Sequence, residues 1–253
     1  MQYVRDRVLK REFFAGTWCS LASPMASEII GLAGYDWALL DQEHSPSTGF
    51  SLLGQLQSLA ASATAPIVRV PWLDRMFVKS ALDLGASGIM FPSIDTAEQA
   101  AEATRHLRYA PRGIRGVSGG ARCSGYGYAF QEYYAEAGDN LLGVMQIETG
   151  AAVENCERMA AVDGADVLFV GPMDLGTNVN LPGRFKDDTF MALLARVSEA
   201  ARQNGKAAGI LLPDTSLVPV LKGMGYTFIA VGSDSAILAG AFKANLESIR
   251  KDR

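Results

Sequence analysis

Eight short apolar runs, each followed by a turn and a helix-like stretch, predict a closed barrel of eight parallel strands with helices outside, the (β/α)8 or TIM barrel. Two further observations favour it. The runs are almost continuously hydrophobic, as parallel strands covered on both faces are, instead of alternating. The chain has 253 residues, close to the roughly 250 such barrels use. A doubly wound open sheet is the alternative, but eight strands in this length favour closure. No low-complexity linker or strong internal repeat divides the chain, so a single domain over 1–253 is expected.

In order, the strands are expected at 17–21 (TWCSL), 37–41 (WALLD), 66–70 (PIVRV), 88–91 (GIMF), 143–147 (GVMQI), 167–170 (VLFV), 208–212 (AGILL) and 228–231 (FIAV). Helical patterns lie between them. In TAEQAAEATRHLRY, Ala97, Ala100, Ala101, Thr104 and Leu107 share one face. Thr96 suits the N-cap, and Glu98 and Glu102 lie toward the positive end. RMFVKSALDLGA and DDTFMALLARVSEAARQNG both end in a glycine suited to a C-cap. AFQEYYAEAG reads as a helix inside the long interval after the fourth strand, and DSAILAGAFKANLESIR is the last helix. His106 is expected to be solvated beside Arg105 and Arg108.

Composition removes several classes of function. Apolar residues make up 49%, charged residues 20%, and the net charge is −4, so no basic field attracts nucleic acid. No stretch approaches the roughly 20 uncharged apolar residues of a membrane helix, and MQYVRDRVLKREFF lacks the apolar core of a signal peptide. Cys19, Cys123 and Cys156 are scattered, with neither a disulfide framework nor zinc spacing; Cys19 is expected to be packing. The expectation is a cytoplasmic protein with no nucleic-acid or membrane partner.

The chemistry of such barrels sits where strands end. Trp18 lies in the first strand. The second ends in Asp41, followed by Glu43 and His44. Arg69 stands inside the third, Gln146 and Glu148 close the fifth, and Asp174 follows the sixth in GPMDL. Singly, each has an ordinary reading: Arg69 as a structural ion-pair partner, Glu148 and Asp174 as first-turn helix acids, His44 as a loop residue. Converging on one rim, they point to chemistry. Two carboxylates without Cys or clustered His suit an oxygen-loving divalent cation, Mg2+, Mn2+ or Co2+, with positions left for substrate, and no organic cofactor is implied. Such a cation would polarise a carbonyl. Arg69 would hold developing negative charge, the backbone of VGPMDL would cradle a carboxylate, and His44 would shuttle a proton with Asp41 orienting it. That is chemistry on a 2-oxo acid. A Schiff-base route needs a strand-end lysine, whereas Lys79 and Lys222 fall in helices and Lys206 precedes the seventh strand.

From about residue 12 to 249, the sequence resembles the HpcH/HpaI aldolase family, the class II pyruvate aldolases. The resemblance rests on GTWCSLASP, YDWALLDQEHSP, PIVRVPW, ALDLGASGIMFP, RYAPRGIRGV, MQIETGAAVEN, VDGADVLFVGPMDLG, GKAAGIL and FIAVGSD. It implies metal ligation by Glu148 and Asp174, and pyruvate held near Gln146 with its carboxylate at the backbone of Gly171, Pro172 and Met173. It also implies enolate stabilisation by Arg69, acid–base work by His44 with Asp41, and a pocket lined by Trp18 and Leu211. Asp83 would reach a neighbouring subunit's site. The assembly it implies is a homohexamer, a dimer of trimers with the last helix exchanged. The chain departs from the family's common pattern at Gln42, usually Gly, and at Met173, often Ala. Arg122 and Tyr126, in GGARCSGYG, are candidates for contact with a polar acceptor, though a plain connecting loop is the ordinary reading.

The expected activity is reversible, metal-dependent cleavage of a 4-hydroxy-2-oxo acid into pyruvate and an aldehyde through a metal-stabilised enolate. A citrate-lyase-like acyl-CoA lyase or an oxaloacetate decarboxylase would use the same parts, but no basic, adenine-receptive cluster suggests CoA. A binding barrel without turnover would have little use for His44, Arg69 and two acids together.

Overall fold

The structure, a computed structural model, describes residues 2–250. Eight parallel strands close in chain order: β1 (Phe14–Cys19), β2 (Trp37–Asp41), β3 (Ala65–Arg69), β4 (Gly88–Phe91), β5 (Leu142–Ile147), β6 (Val167–Val170), β7 (Ala207–Leu212) and β8 (Tyr226–Ser233). The helices are α1 (Arg5–Leu9), α2 (Pro24–Ala33), α3 (Gly49–Leu59), α4 (Arg75–Leu84), α5 (Ala97–Leu107), α6 (Phe130–Asn140), α7 (Gly150–Ala160), α8 (Pro172–Asn178), α9 (Asp188–Gln203), α10 (Val218–Gly223) and α11 (Asp234–Arg250). The predicted barrel is therefore the observed one. Boundaries differ most at β1, expected at 17–21. Closure explains the shift: Phe14, Ala15 and Gly16 pair with Phe228, Ile229 and Ala230 of β8, and no local pattern in β1 announces that partner.

The strands separate two cores by parity, because alternate side chains face opposite sides of a sheet. Cys19, Ala38, Leu40, Val68, Ile89, Met145, Leu168 and Ile210 pack outward against the helices. Phe14, Trp18, Trp37, Leu39, Ala65, Ile67, Met90, Val144, Phe169 and Phe228 fill the barrel interior. Trp37 stacks on Phe228 with ring centroids 4.0 Å apart. Room for the indole comes from Gly16, where a Cβ would stand 2.1 Å from Trp37 Cε2. The charged N-terminus has a structural use: Val4 and Val8 join the interior core, and Arg5 forms a two-point ion pair with the buried Asp166 (2.8 and 2.9 Å).

Local signals account for the helix starts. Thr96 accepts from Gln99 N–H while the Gln99 side chain accepts from Thr96 N–H, a reciprocal cap. Gly85, with φ of 102°, ends α4. On α5 the buried residues are Ala100, Ala103, Thr104, His106 and Leu107. His106 is thus not solvated as its charged neighbours suggested, and only 5% of its surface is exposed. Burial lowers its pKa, aided by Arg75 and Arg105 and opposed by Glu102 and Asp74. Folding therefore favours neutral imidazole. Below the ordinary value of 6.5 the unfolded chain binds a proton that the native state resists, so stability falls as pH drops through that value. Replacing His106 with Leu is expected to flatten this acid-side decline in Tm against pH; an unchanged slope would contradict the assignment.

The last helix is different in kind. None of its residues is buried, and Ile237, Phe242 and Ile249 are each more than half exposed. Among the described residues, no helix is long and apolar enough to cross a membrane.

Candidate active site

Parity delivers the polar residues. Asp41 continues the inward series Trp37, Leu39; Arg69 continues Ala65, Ile67; Gln146 continues Leu142, Val144. At the C-terminal ends of the strands the interior core therefore gives way to charge. The residues around a cavity of about 440 Å3 there include Trp18, Asp41, His44, Arg69, Gln146, Gly171, Pro172, Met173, Asp174 and Leu211. These ten are all residues singled out from the sequence, and one cavity gathers them.

Register sets the first contact. Asp41 and Arg69 are direct neighbours across β2 and β3. Arg69 donates from Nε to Asp41 Oδ1 (2.9 Å) and from Nη2 to Oδ2 (2.7 Å), and its Nη1 lies 2.8 Å from Glu43 Oε2. The Trp18 ring lies 5.3 Å from the guanidinium carbon. Burial alone would raise the Asp41 carboxyl, but Arg69 and the backbone N–H groups of Glu43 and His44 hold it below its ordinary value. Glu43 shifts the other way, because burial outweighs Arg69 and His44.

This geometry revises one expected role. The Asp41 carboxylate is committed to Arg69 and meets His44 only through the backbone N–H, at 3.4 Å. The acid nearest the imidazole is Glu43, with Oε2 3.9 Å from His44 Nε2. Glu43 thus links Arg69 to His44, whereas the sequence left it without a role.

Glu148 is buried beside Gln146 and Gly171. Its Oε1 accepts from Gln146 Nε2 (2.6 Å) and its Oε2 from Ser93 N–H (3.0 Å). Burial pushes its carboxyl up to about 7; Ser93 opposes this, and negative Asp174 and Glu43 reinforce it. Gly171 makes the approach possible, since a Cβ there would stand 2.8 Å from Glu148 Oε1. Asp174, in the first turn of α8, lines the cavity.

A divalent cation fits this donor set. Asp174 is close enough to Glu148 to raise its pKa, so two acids share this end of the barrel, and Gln146 Oε1 is buried without a partner. Among the described residues no group of three or more His, Cys, Asp or Glu is placed to hold a metal. Glu148 and Asp174 would therefore leave most coordination positions to oxygen atoms of substrate and water. The expected backbone cradle is narrower than its sequence suggested. Gly171 N–H is already bonded to Ile147 carbonyl oxygen (3.1 Å) and Pro172 has none, so the first-turn donors are Met173 and Asp174.

Other candidates lie elsewhere. Arg122 donates to the carbonyls of Leu84 (2.6 Å) and Leu56 (3.4 Å), tying helix ends together, and Tyr126 is exposed; neither lines the cavity. Asp83, on α4, faces Arg115 at 3.4 Å. Lys186, not weighed among the lysines, is on the catalytic rim but lines a neighbouring cavity with Arg184, Asp187 and Asp214. Sequence reasoning also missed Ser93, Phe169, Ser20 and Ser233. Phe169 and Ser20 were within reach of a parity count, in step with the inward Val167 and Trp18. Ser93 lies past a strand end, and Ser233 is out of step with the inward Phe228 and Ala230 because the β1–β8 pairing is irregular there.

A parallel barrel with a cavity of paired charges and acids at its strand ends has the layout of a small-molecule enzyme. The chain belongs to the HpcH/HpaI aldolase/citrate lyase family, whose model matches residues 15–241. It is 40% identical over 235 residues to hydroxypyruvate/pyruvate aldolase of Delftia acidovorans, covering 93% of this chain and 87% of that one. It is 37% identical over 236 residues to 5-keto-4-deoxy-D-glucarate aldolase of Klebsiella pneumoniae, covering 93% and 92%. The crystal structure of an HpcH/HpaI aldolase/citrate lyase family protein from Burkholderia cenocepacia superposes with a TM-score of 0.94 at 35% identity, covering 99% and 100% of the two chains.

Proposed function

We propose that this protein is a divalent-metal-dependent aldolase that reversibly cleaves a 4-hydroxy-2-oxo acid into pyruvate and an aldehyde. The observation that carries the reading is one cavity lined by Arg69, His44, Gln146 and Asp174, with the buried Glu148 hydrogen-bonded to Gln146. Glu148 and Asp174 would hold Mg2+, Mn2+ or Co2+, which supplies Lewis-acid polarisation of the 2-oxo group. His44 takes the proton of the C4 hydroxyl as the C3–C4 bond breaks. The bonding electrons move toward the C2 oxygen, and Arg69 neutralises the charge gathering there while Asp41 and Glu43 keep the guanidinium aimed. A proton returned to C3 completes pyruvate. Met173, Trp18 and Leu211 line the same cavity.

The test is exchange of the pyruvate methyl protons with solvent deuterium. Exchange is expected to disappear after thorough chelation and to return on refilling with one of the three cations. Exchange indifferent to both treatments would overturn the reading.

The same reading makes the protein a cytoplasmic homohexamer, a dimer of trimers with α11 exchanged and Asp83 reaching a partner's site. The three free cysteines and the unburied apolar residues of α11 support it. Light scattering is expected to give six times the chain mass; a monomer mass would contradict the assembly.

A further inference from the structure

Ser20, just past β1, and Ser233, at the end of β8, both line the cavity. They belong to a hydrogen-bonded chain that the lyase chemistry leaves unused. Ser20 Oγ lies 3.0 Å from Asp234 Oδ1 and 2.7 Å from Ser235 Oγ, and Ser235 Oγ lies 3.0 Å from Ser233 Oγ. Asp234 also accepts the backbone N–H groups of Ser20 (2.8 Å), Leu21 (3.2 Å) and Ser235 (2.8 Å). Ser233 Oγ accepts from Ala236 N–H at 3.1 Å.

The direction of every link follows from proton counting. A carboxylate only accepts, and each serine has one hydroxyl proton and two lone pairs. Ser20 gives its proton to Asp234, so Ser235 must donate to Ser20, and Ser233 must donate to Ser235. All three protons are then committed toward Asp234. Ser20 Oγ accepts once, from Ser235; Ser233 Oγ accepts once, from Ala236. Each keeps one lone pair and no proton to offer. Met173, Leu211 and Ala236 line the same cavity, and in such partly apolar surroundings a mismatched polar group is costly.

We infer that Ser20 and Ser233 form an acceptor subsite that reads a hydroxyl on the aldehyde. The subsite takes a group that donates, and it turns away a carboxylate or a bare alkyl chain. It selects hydroxyaldehydes such as glycolaldehyde over alkyl aldehydes of equal length, such as acetaldehyde. This rests on the aldolase reading and adds the class of its second substrate.

The experiment measures kcat/KM for addition of pyruvate to glycolaldehyde and to acetaldehyde in the metal-loaded enzyme, beside pyruvate proton exchange. The wild type is expected to prefer glycolaldehyde. Ser20→Ala and Ser233→Ala are each expected to reduce that preference about tenfold, the usual size of one lost hydrogen bond in a low-dielectric site. Ser233→Thr keeps the hydroxyl and is expected to retain the preference, which separates recognition from loss of folding. Ser235→Ala frees the Ser233 proton and is expected to raise the use of succinic semialdehyde, a carboxylated aldehyde, relative to glycolaldehyde. A wild type that exchanges pyruvate protons but prefers acetaldehyde, or alanine variants with an unchanged ratio, overturns this inference alone; the chain then only ties β1 to β8. A wild type with neither exchange nor aldol addition overturns both readings.

Discussion

Glu148→Gln is expected to lower metal-dependent pyruvate proton exchange by more than about 100-fold, the upper range for losing an outer partner of a metal ligand. The change is nearly isosteric, so it isolates charge. In the native site the buried carboxylate is held between Gln146 Nε2 and Ser93 N–H, with Asp174 as the second acid on the cavity. Glutamine can keep one of those bonds but supplies no negative charge to a cation. A second readout separates this cause from misfolding: added Mn2+ should raise the Tm of the wild type and leave that of the variant unmoved. The variant without metal should be at least as stable as the wild type, because a buried acid has been replaced by a neutral amide. Full exchange activity in Glu148→Gln would remove Glu148 from the ligand set.

Arg69→Met is expected to be severe in two separable ways. Loss of the donor that meets negative charge on the substrate should cost about 10²–10³-fold in kcat. Loss of the partner leaves Asp41, only 2% exposed, as an uncompensated buried charge. Breaking a buried pair from one side costs about 3–5 kcal/mol, a fall in Tm on the order of 10 °C for a chain of this size. Adding Asp41→Asn to Arg69→Met should restore much of the Tm and none of the activity. A single variant with wild-type Tm would mean that Asp41 is not held by Arg69 alone, and near-normal kcat would remove Arg69 from catalysis.

Much of this molecule was legible in one dimension. Apolar runs 37–41, 88–91 and 167–170 match β2, β4 and β6 residue for residue, because a strand buried on both faces must be apolar along its length. Caps such as Thr96 and Gly85 are set by neighbours within a few residues. The strand-end rule then brought Trp18, Asp41, His44, Arg69, Gln146 and Asp174 to one place, and the family resemblance added Leu211. His106 was misread because the charged residues beside it in sequence point another way on the helix; its own face packs inward.

The sequence by itself determined the barrel, the rim that carries the chemistry and the residue types gathered there, since periodicity and strand-end position are local properties of the chain. Only the tertiary structure decided who pairs with whom. Asp41 meets Arg69 rather than the imidazole because β2–β3 register makes them neighbours, and Glu43 bridges Arg69 to His44 because the turn after β2 returns its carboxylate to the interior. The serine chain depends on closure, which brings Ser20 to Asp234 across 214 residues of sequence. Hydrogen-bond partners are chosen by angstrom-scale distance after the sheet has closed, and no pattern along the chain encodes that choice.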